Sequence, residues 1–296
     1  MDHDQNFKNL VLDYPREALA FCAEAEARAI TPEVRITPVR EEQLKERLGE
    51  RFRELDIPLL VEWPDGRRAA LVFVVEEQSD PARFSTLRLA HYCLDIADLL
   101  KTRRVVPVVI FLRGGPNERR LQLGSEQTHY LDFHFIAVEL AAMSYHRWRD
   151  SDNIVARVNL PNMRHQRHER VEVFAAAIQG LIALEQDPEK RLKYTDFIDT
   201  YAALDDNEYR RYQREYPDEV DIMKTFSDRV REEGMQLGMQ QGMQQAEALS
   251  LLRLMRHKFG DIPEEVRQRI VSAEPATLSQ WFDQALAADR LDEVLH

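Results

Sequence analysis

Residues 52–80 read FRELDIPLLVEWPDGRRAALVFVVEEQSD, and the fold turns on how this stretch doubles back. Pro64-Asp65-Gly66 is a turn signal between two apolar runs, residues 55–63 and 68–76. A chain that folds back there sets residues whose numbers sum to roughly 131 opposite one another. Asp56 then faces Val75 and lies within about one residue of Glu76, which opens the acidic cluster Glu76-Glu77-Gln78. Two carboxylates converging at the ends of neighbouring strands are what a hard divalent cation requires. The chemistry expected of such a pair is metal-dependent cleavage of a phosphodiester.

With 296 residues the chain can bury a real core, as one large domain or two unequal ones. Its 44% hydrophobic and 31% charged content is that of an ordinary soluble protein. No run approaches the ~18 apolar residues of a membrane span. The opening MDHDQNFKNL is polar and acidic, unlike a secretory signal. The expectation is a cytoplasmic protein with no membrane partner. Cys22 and Cys93 both sit in apolar helical contexts and read as reduced core residues. No zinc-type Cys/His spacing is present.

The net charge of −12 argues against broad, non-specific nucleic-acid binding. The charge is uneven, however. Residues 101–120 carry six basic side chains against Glu118. Residues 146–170 carry six arginines and three histidines against Asp150, Asp152 and Glu169. Such segments either contact phosphates locally or are solvated surface arginines.

Working outward from the hairpin, residues 7–28 read as a helix broken by Pro15, and residues 30–39 as a Pro-punctuated edge segment. Residues 41–55 are polar and amphipathic. The run LVFVV predicts a central strand buried on both faces. Ser79-Asp80-Pro81 predicts the start of a helix that reaches about Lys101 and, being apolar almost all round, is buried. VVPVVIFL (105–112) predicts another buried strand, and residues 131–140 a further one. Residues 171–185 and 191–205 read as helices. Then comes a repeat, Gly234-Met-Gln-Leu-Gly238-Met-Gln-Gln-Gly242-Met-Gln-Gln-Ala246. A period of four keeps its glycines near one helix face with a slow drift. Glycine costs a helix ~1 kcal/mol relative to alanine. This segment is therefore either a soft helical linker or a helix that needs a partner, such as a second copy of the chain. Three short helices follow: 248–259, capped by Gly260, then 263–273 and 277–288.

The segments HDQNFKNLV (3–11), LDIPLLVEW (55–63), VVEEQS (74–79), RLAHY (88–92) and VVPVVIFLRGG (105–115) together resemble the Rpn family. These are the recombination-promoting nucleases, or YhgA-like putative transposases, of the PD-(D/E)XK nuclease superfamily. The resemblance spans about residues 1–230 and rests on the order and spacing of short motifs. The tail, RLMRHKFGDIPEEVRQRI…WFDQALAADRLDEVL, resembles the small helical domain of unknown function that often ends such proteins. The resemblance implies an α/β fold: a restriction-endonuclease-like mixed sheet flanked by helices in the order α-β-β-β-α-β, plus a helical C-terminal region. The implied organisation is a nuclease-like domain over 1–228, a Gly-Met-Gln linker over 229–248 and a helical domain over 249–296.

By the same resemblance the family's functional Asp corresponds to Asp56, and its E-x-K or E-x-Q triplet to Glu76 and Gln78. Asp56 and Glu76 would bind Mg²⁺, with the main-chain carbonyl of Glu77 completing the protein ligands. The expected partner is DNA, and the expected activity a Mg²⁺-dependent DNA endonuclease associated with recombination or mobile elements. Gln78 is the departure, because superfamily members often place Lys there, whose charge stabilises hydroxide and the transition state. Gln is neutral, but it can orient a water by donating and accepting hydrogen bonds. The alternative is a catalytically weakened nuclease fold that binds DNA or acts in regulation or assembly.

Overall fold

The computed structural model describes residues 3–39, 44, 57–76, 84–115, 119–288 and 290–294. The chain divides into two compact units, Met1–Met223 and Lys224–His296.

The first unit is a mixed α/β domain built on a five-stranded sheet. It opens with helices α1 (His3–Asp13), α2 (Pro15–Cys22) and α3 (Glu24–Ala27). Pro15 breaks the run as expected, because it sits at the first position of α2, where its missing N–H costs nothing. Strands β1 (Arg35–Pro38), β2 (Ile57–Glu62) and β3 (Arg68–Glu76) follow, then helix α4 (Thr86–Leu99) and strand β4 (Val105–Phe111). A two-stranded ribbon, β5 (Arg120–Gly124) and β6 (His129–His134), precedes β7 (Ile136–Glu139). The five-stranded sheet runs β1-β2-β3-β4-β7. β1, β2 and β3 pair antiparallel, while β3 with β4 and β4 with β7 pair parallel. Among the described elements from α1 to β4 the order is helices, then β1, β2 and β3, then α4 and β4, with Leu44 helical between β1 and β2.

Alternation along the strands sorts the core into two layers. Leu59, Val61, Ala69, Leu71, Val108, Ile110 and Val138 pack in one cluster with α1 and α2. Helices α5 (Ile154–Val158), α6 (Arg170–Leu184), α7 (Pro188–Ala202) and α8 (Asp206–Glu215) contribute to the same cluster. Ala70, Val72, Val109 and Phe111 pack on the opposite face, against Leu89, Tyr92, Cys93 and Ile96 of α4. β3 and β4 are thus covered on both sides, as their unbroken apolar runs require. Cys22 and Cys93 are free and buried. Burial pushes the Cys22 thiol up to about 12.

Three expectations need correction. Helix α4 begins at Thr86 rather than Pro81, because the Ser85 side chain accepts the Arg88 amide and caps the helix there. Nor is α4 buried all round: Leu87 and Leu94, seven residues apart on one face, are exposed. The run 131–140 is two strands in different sheets, since the chain leaves β5's partner at His134 and joins β4 from Ile136.

The second unit contains most of helix α9 (Pro217–Phe259), with α10 (Glu264–Val271) and α11 (Pro275–Ala287). Its core is Ala248, Leu251, Met255, Ile262, Ile270, Leu278, Trp281, Ala285 and Val294. Lys258 Nζ donates to the carbonyls of Ala285 (3.0 Å) and Leu286 (2.7 Å), a cation at the C-terminal end of α11. Gly260 follows α9 with φ +88°, a left-handed stop. The glycine repeat lies inside α9 and leaves Met235, Met239 and Met243 exposed. Among the described residues no helix is long and apolar enough to cross a membrane.

Candidate functional site

The hairpin β2–β3 closes over residues 63–67. The Gly66 amide donates to the Trp63 carbonyl, and the Trp63 amide to the Arg67 carbonyl, both at 3.0 Å. Gly66 has φ +84°, a conformation that costs any side chain with a Cβ. Asp65 accepts the Arg67 amide (3.0 Å) and its Nε (2.6 Å), which locks the turn and holds the Asp65 carboxyl below its usual range. Glu62 and Arg68 flank the turn as a cross-strand ion pair at 2.8 Å. Trp63 anchors the loop: its Nε1 donates to the Ala29 carbonyl, and Arg104 lies 4.8 Å over its ring.

The ladder pairs Ile57 with Phe73 and Glu62 with Arg68, so paired numbers sum to 130. This is one less than expected, because the loop is centred on Asp65 rather than between Asp65 and Gly66. β3 continues three residues beyond Phe73, and its last residue, Glu76, pairs in backbone register with Phe111 of β4. Phe111 in turn pairs with Glu139 of β7. One row across the sheet therefore reads Glu76, Phe111, Glu139. Beneath it lies an aromatic floor: the Phe111 ring is 5.4 Å from Phe84 and 6.4 Å from Phe135. Gly115 closes on that ring, where an added Cβ would come within 3.0 Å. The Glu139 carboxylate is taken up by Arg119.

Asp56, Glu77 and Gln78 lie outside the described residues. Of the sequence-derived site, the structure describes the backbone of Glu76, and Ile57 directly after Asp56. Among the described residues no group of three or more His, Cys, Asp or Glu side chains could hold a metal ion.

The sequence reading missed strand β5. Together with β6 it forms an exposed ribbon, whose turn is held by Ser125 Oγ accepting from the amides of Gln127 and Thr128. Arg120 and Asp132 pair across the ribbon, and this pairing holds the Asp132 carboxyl below its usual range. Between the ribbon and the start of α4 is a polar groove of about 540 Å³ lined by Thr86, Arg120, Gln122, Ser125 and His129. The alternating pattern RLQLG, four residues, HYLDFH is the signal that could have revealed the ribbon.

The arginine-rich stretch 146–170 resolves into paired and unpaired groups. Arg149 pairs with Glu172 (2.7 Å), and Arg170 with Glu208 (2.8 Å). Arg157 donates to the Ala176 carbonyl at 2.8 Å. Arg147 stacks over Trp148 at 5.3 Å. Arg164 and Arg167 are exposed and form no ion pair among the described residues.

Comparison of the chain with protein-family models, with curated proteins and with solved structures finds no match in any of the three.

Proposed function

We propose that this chain is a metal-dependent DNA endonuclease of the PD-(D/E)XK type, with Asp56, Glu76 and Gln78 as its catalytic residues. The observation that carries this reading is the β2–β3 register. Paired residues share a face of the sheet, and so do alternate residues along a strand. A ladder extended one step before Ile57 would oppose position 56 to Val74, two residues from Glu76. Positions 56 and 76 then have the same facing. A register summing to 131 would have set them on opposite faces. The described elements support the same reading in part: strands β1, β2 and β3, then helix α4 and the parallel strand β4, follow the order that the family resemblance implies, with Leu44 helical between β1 and β2.

The donor set is two carboxylates and the Glu77 main-chain carbonyl, all hard oxygen ligands, which suits Mg²⁺. A magnesium ion bound there would offset charge on a scissile phosphate and lower the pKa of a water. Gln78 would orient that water through its amide, which both donates and accepts. It brings no positive charge, and this favours a slower enzyme than one with Lys at the position. The same neutrality favours the second reading, a DNA-binding protein on this scaffold without catalysis.

The test is nicking of supercoiled plasmid by the purified chain with Mg²⁺, beside Asp56→Ala. Nicking by the native chain alone supports the enzyme. Equal nicking by both indicates a contaminant and removes the claim.

A further inference from the structure

Three arginines of the stretch 144–168 that form no ion pair among the described residues are gathered by a backbone bridge. Ser144 and Arg164 form an isolated parallel β-bridge. The Arg164 amide donates to the Met143 carbonyl (2.7 Å), and the Tyr145 amide to the Arg164 carbonyl (3.3 Å). The fully buried Tyr145 anchors the junction, with the His146 ring 4.1 Å and the His165 ring 6.3 Å from its own. Two segments nearly twenty residues apart, His146-Arg147 and Arg164-His165-Gln166-Arg167-His168, are thereby set side by side.

Glu169 lies beside this cluster, and it is already engaged. It accepts the Gln166 amide (2.6 Å) and the Tyr145 hydroxyl (3.3 Å), and it meets His146 Nε2 at 3.1 Å. The amide bond above all, helped by Tyr145 and by the nearby His146 and His168, holds its carboxyl below the usual range despite some burial. Glu172 and Glu208 are consumed by Arg149 and Arg170. Among the described residues no carboxylate makes an ion-pair contact with Arg147, Arg164 or Arg167, although Glu24 feels the charge of Arg147 and Asp205 that of Arg167, on a chain whose net charge is −12.

We infer that this face, centred on Arg164 and Arg167, grips the phosphate backbone of a DNA duplex. The inference rests on the endonuclease reading and extends it to how substrate is held. Planar guanidiniums match phosphate oxygens in paired hydrogen bonds, and solvent-facing imidazoles and Gln166 add donors of the kind that contact backbones. No large hydrophobic side chain between residues 141 and 170 is strongly exposed. An acidic protein partner would need an apolar anchor on this face. A single strand would need exposed aromatic rings for its bases to stack on. A duplex backbone needs neither. Position also fits: strand spacing puts Glu76 about 10 Å from Glu139 across the row, and Ser144 follows five residues later, so the bridge lies within about 27 Å of Glu76. That is less than one turn of B-form DNA, about 34 Å.

The experiment is fluorescence anisotropy of a labelled 20-base-pair duplex with the full chain in EDTA, so that no cleavage intervenes, across a KCl series. Arg164→Glu with Arg167→Glu should weaken binding at least ~10-fold at moderate salt and lower the log–log salt slope by about two. The milder pair Arg164→Gln with Arg167→Gln should shift both in the same direction by roughly half as much, with an unchanged melting temperature. Arg253→Glu with Arg256→Glu makes the same charge change on exposed residues of the second unit, and should leave affinity within ~3-fold. Unchanged binding in the first two pairs overturns the inference. So does an equal loss in the control pair, no duplex binding by the native chain, or binding of polyglutamate in place of duplex. Plasmid nicking by Asp56→Ala is read separately. If that variant still nicks plasmid, the endonuclease reading fails while the salt-slope result stands by itself.

Discussion

Gly66 sets the geometry on which the hairpin register depends, and its replacement can be worked through quantitatively. Its φ of +84° lies in the left-handed region, and nothing stands within 4 Å of an added Cβ. The cost of Gly66→Ala is therefore conformational, not steric crowding by neighbours. A side chain in the left-handed region costs about 1–2 kcal/mol. Alanine also restricts the unfolded chain, which returns about 0.4–1 kcal/mol. The net loss is roughly 0.5–1 kcal/mol, or about 1–4 °C in melting temperature for a unit of this size. Asn tolerates this backbone better than other residues, and a β-branched side chain worst. The expected order of stability is Gly, Asn, Ala, Val. Urea denaturation followed by far-ultraviolet circular dichroism measures it, with the slope against denaturant unchanged across the series. An alanine variant as stable as the native chain, or Val equal to Asn, would refute the left-handed turn. The 130 register would lose its foundation.

Other predictions follow from the polar contacts and the exposed stripe. Tyr14 donates to the buried Glu185 carboxylate, which also accepts the amides of Gln186 and Asp187 at 2.8 Å each. Tyr14→Phe leaves that carboxylate short of a donor, and should cost about 1–3 kcal/mol in a denaturation midpoint at constant slope. Asp13 is opposed in its charged form by burial, but the hydrogen bonds from Lys193 and Tyr194, both 2.6 Å, outweigh this and lower its folded pKa. A lowered carboxyl contributes stability that is complete above about pH 4 and is lost as pH falls through the folded value. The stability gap between the native chain and Asp13→Asn should thus be wider at pH 7 than at pH 3 and shrink further as the pH falls; a constant gap would contradict the assignment. If the exposed Met235, Met239 and Met243 seat a second copy of the chain, changing all three to Gln should lower the sedimentation coefficient of the full chain. An unchanged value removes the stripe from the account.

The parts of the fold legible in the sequence were those with a buried face. LVFVV and VVPVVIF read as strands covered on both sides because β3 and β4 each feed two core clusters. Pro15, Gly66 and Gly260 punctuate the chain where their backbone chemistry demands it. β5 escaped notice because its alternation, Leu121 and Leu123 among polar residues, spans only five positions, most of them exposed. The sheet switch at Phe135 carries no Gly or Pro to mark it. At α4 the sequence reading followed Ser79-Asp80-Pro81 and did not weigh Ser85, whose side chain accepts the Arg88 amide and caps the helix. The candidate site was legible as residue types and spacing, though Asp56, Glu77 and Gln78 lie outside the described residues; the hairpin register was off by one because turn composition does not fix where the loop is centred.

The most direct measurement is a crystal structure of the full chain soaked with Mn²⁺, read by anomalous difference density. The account predicts one peak shared by the Asp56 and Glu76 carboxylates, at roughly 2.1 Å from an oxygen of each. Carboxylates on opposite faces of the sheet, or a manganese ion bound without both of them, would contradict it.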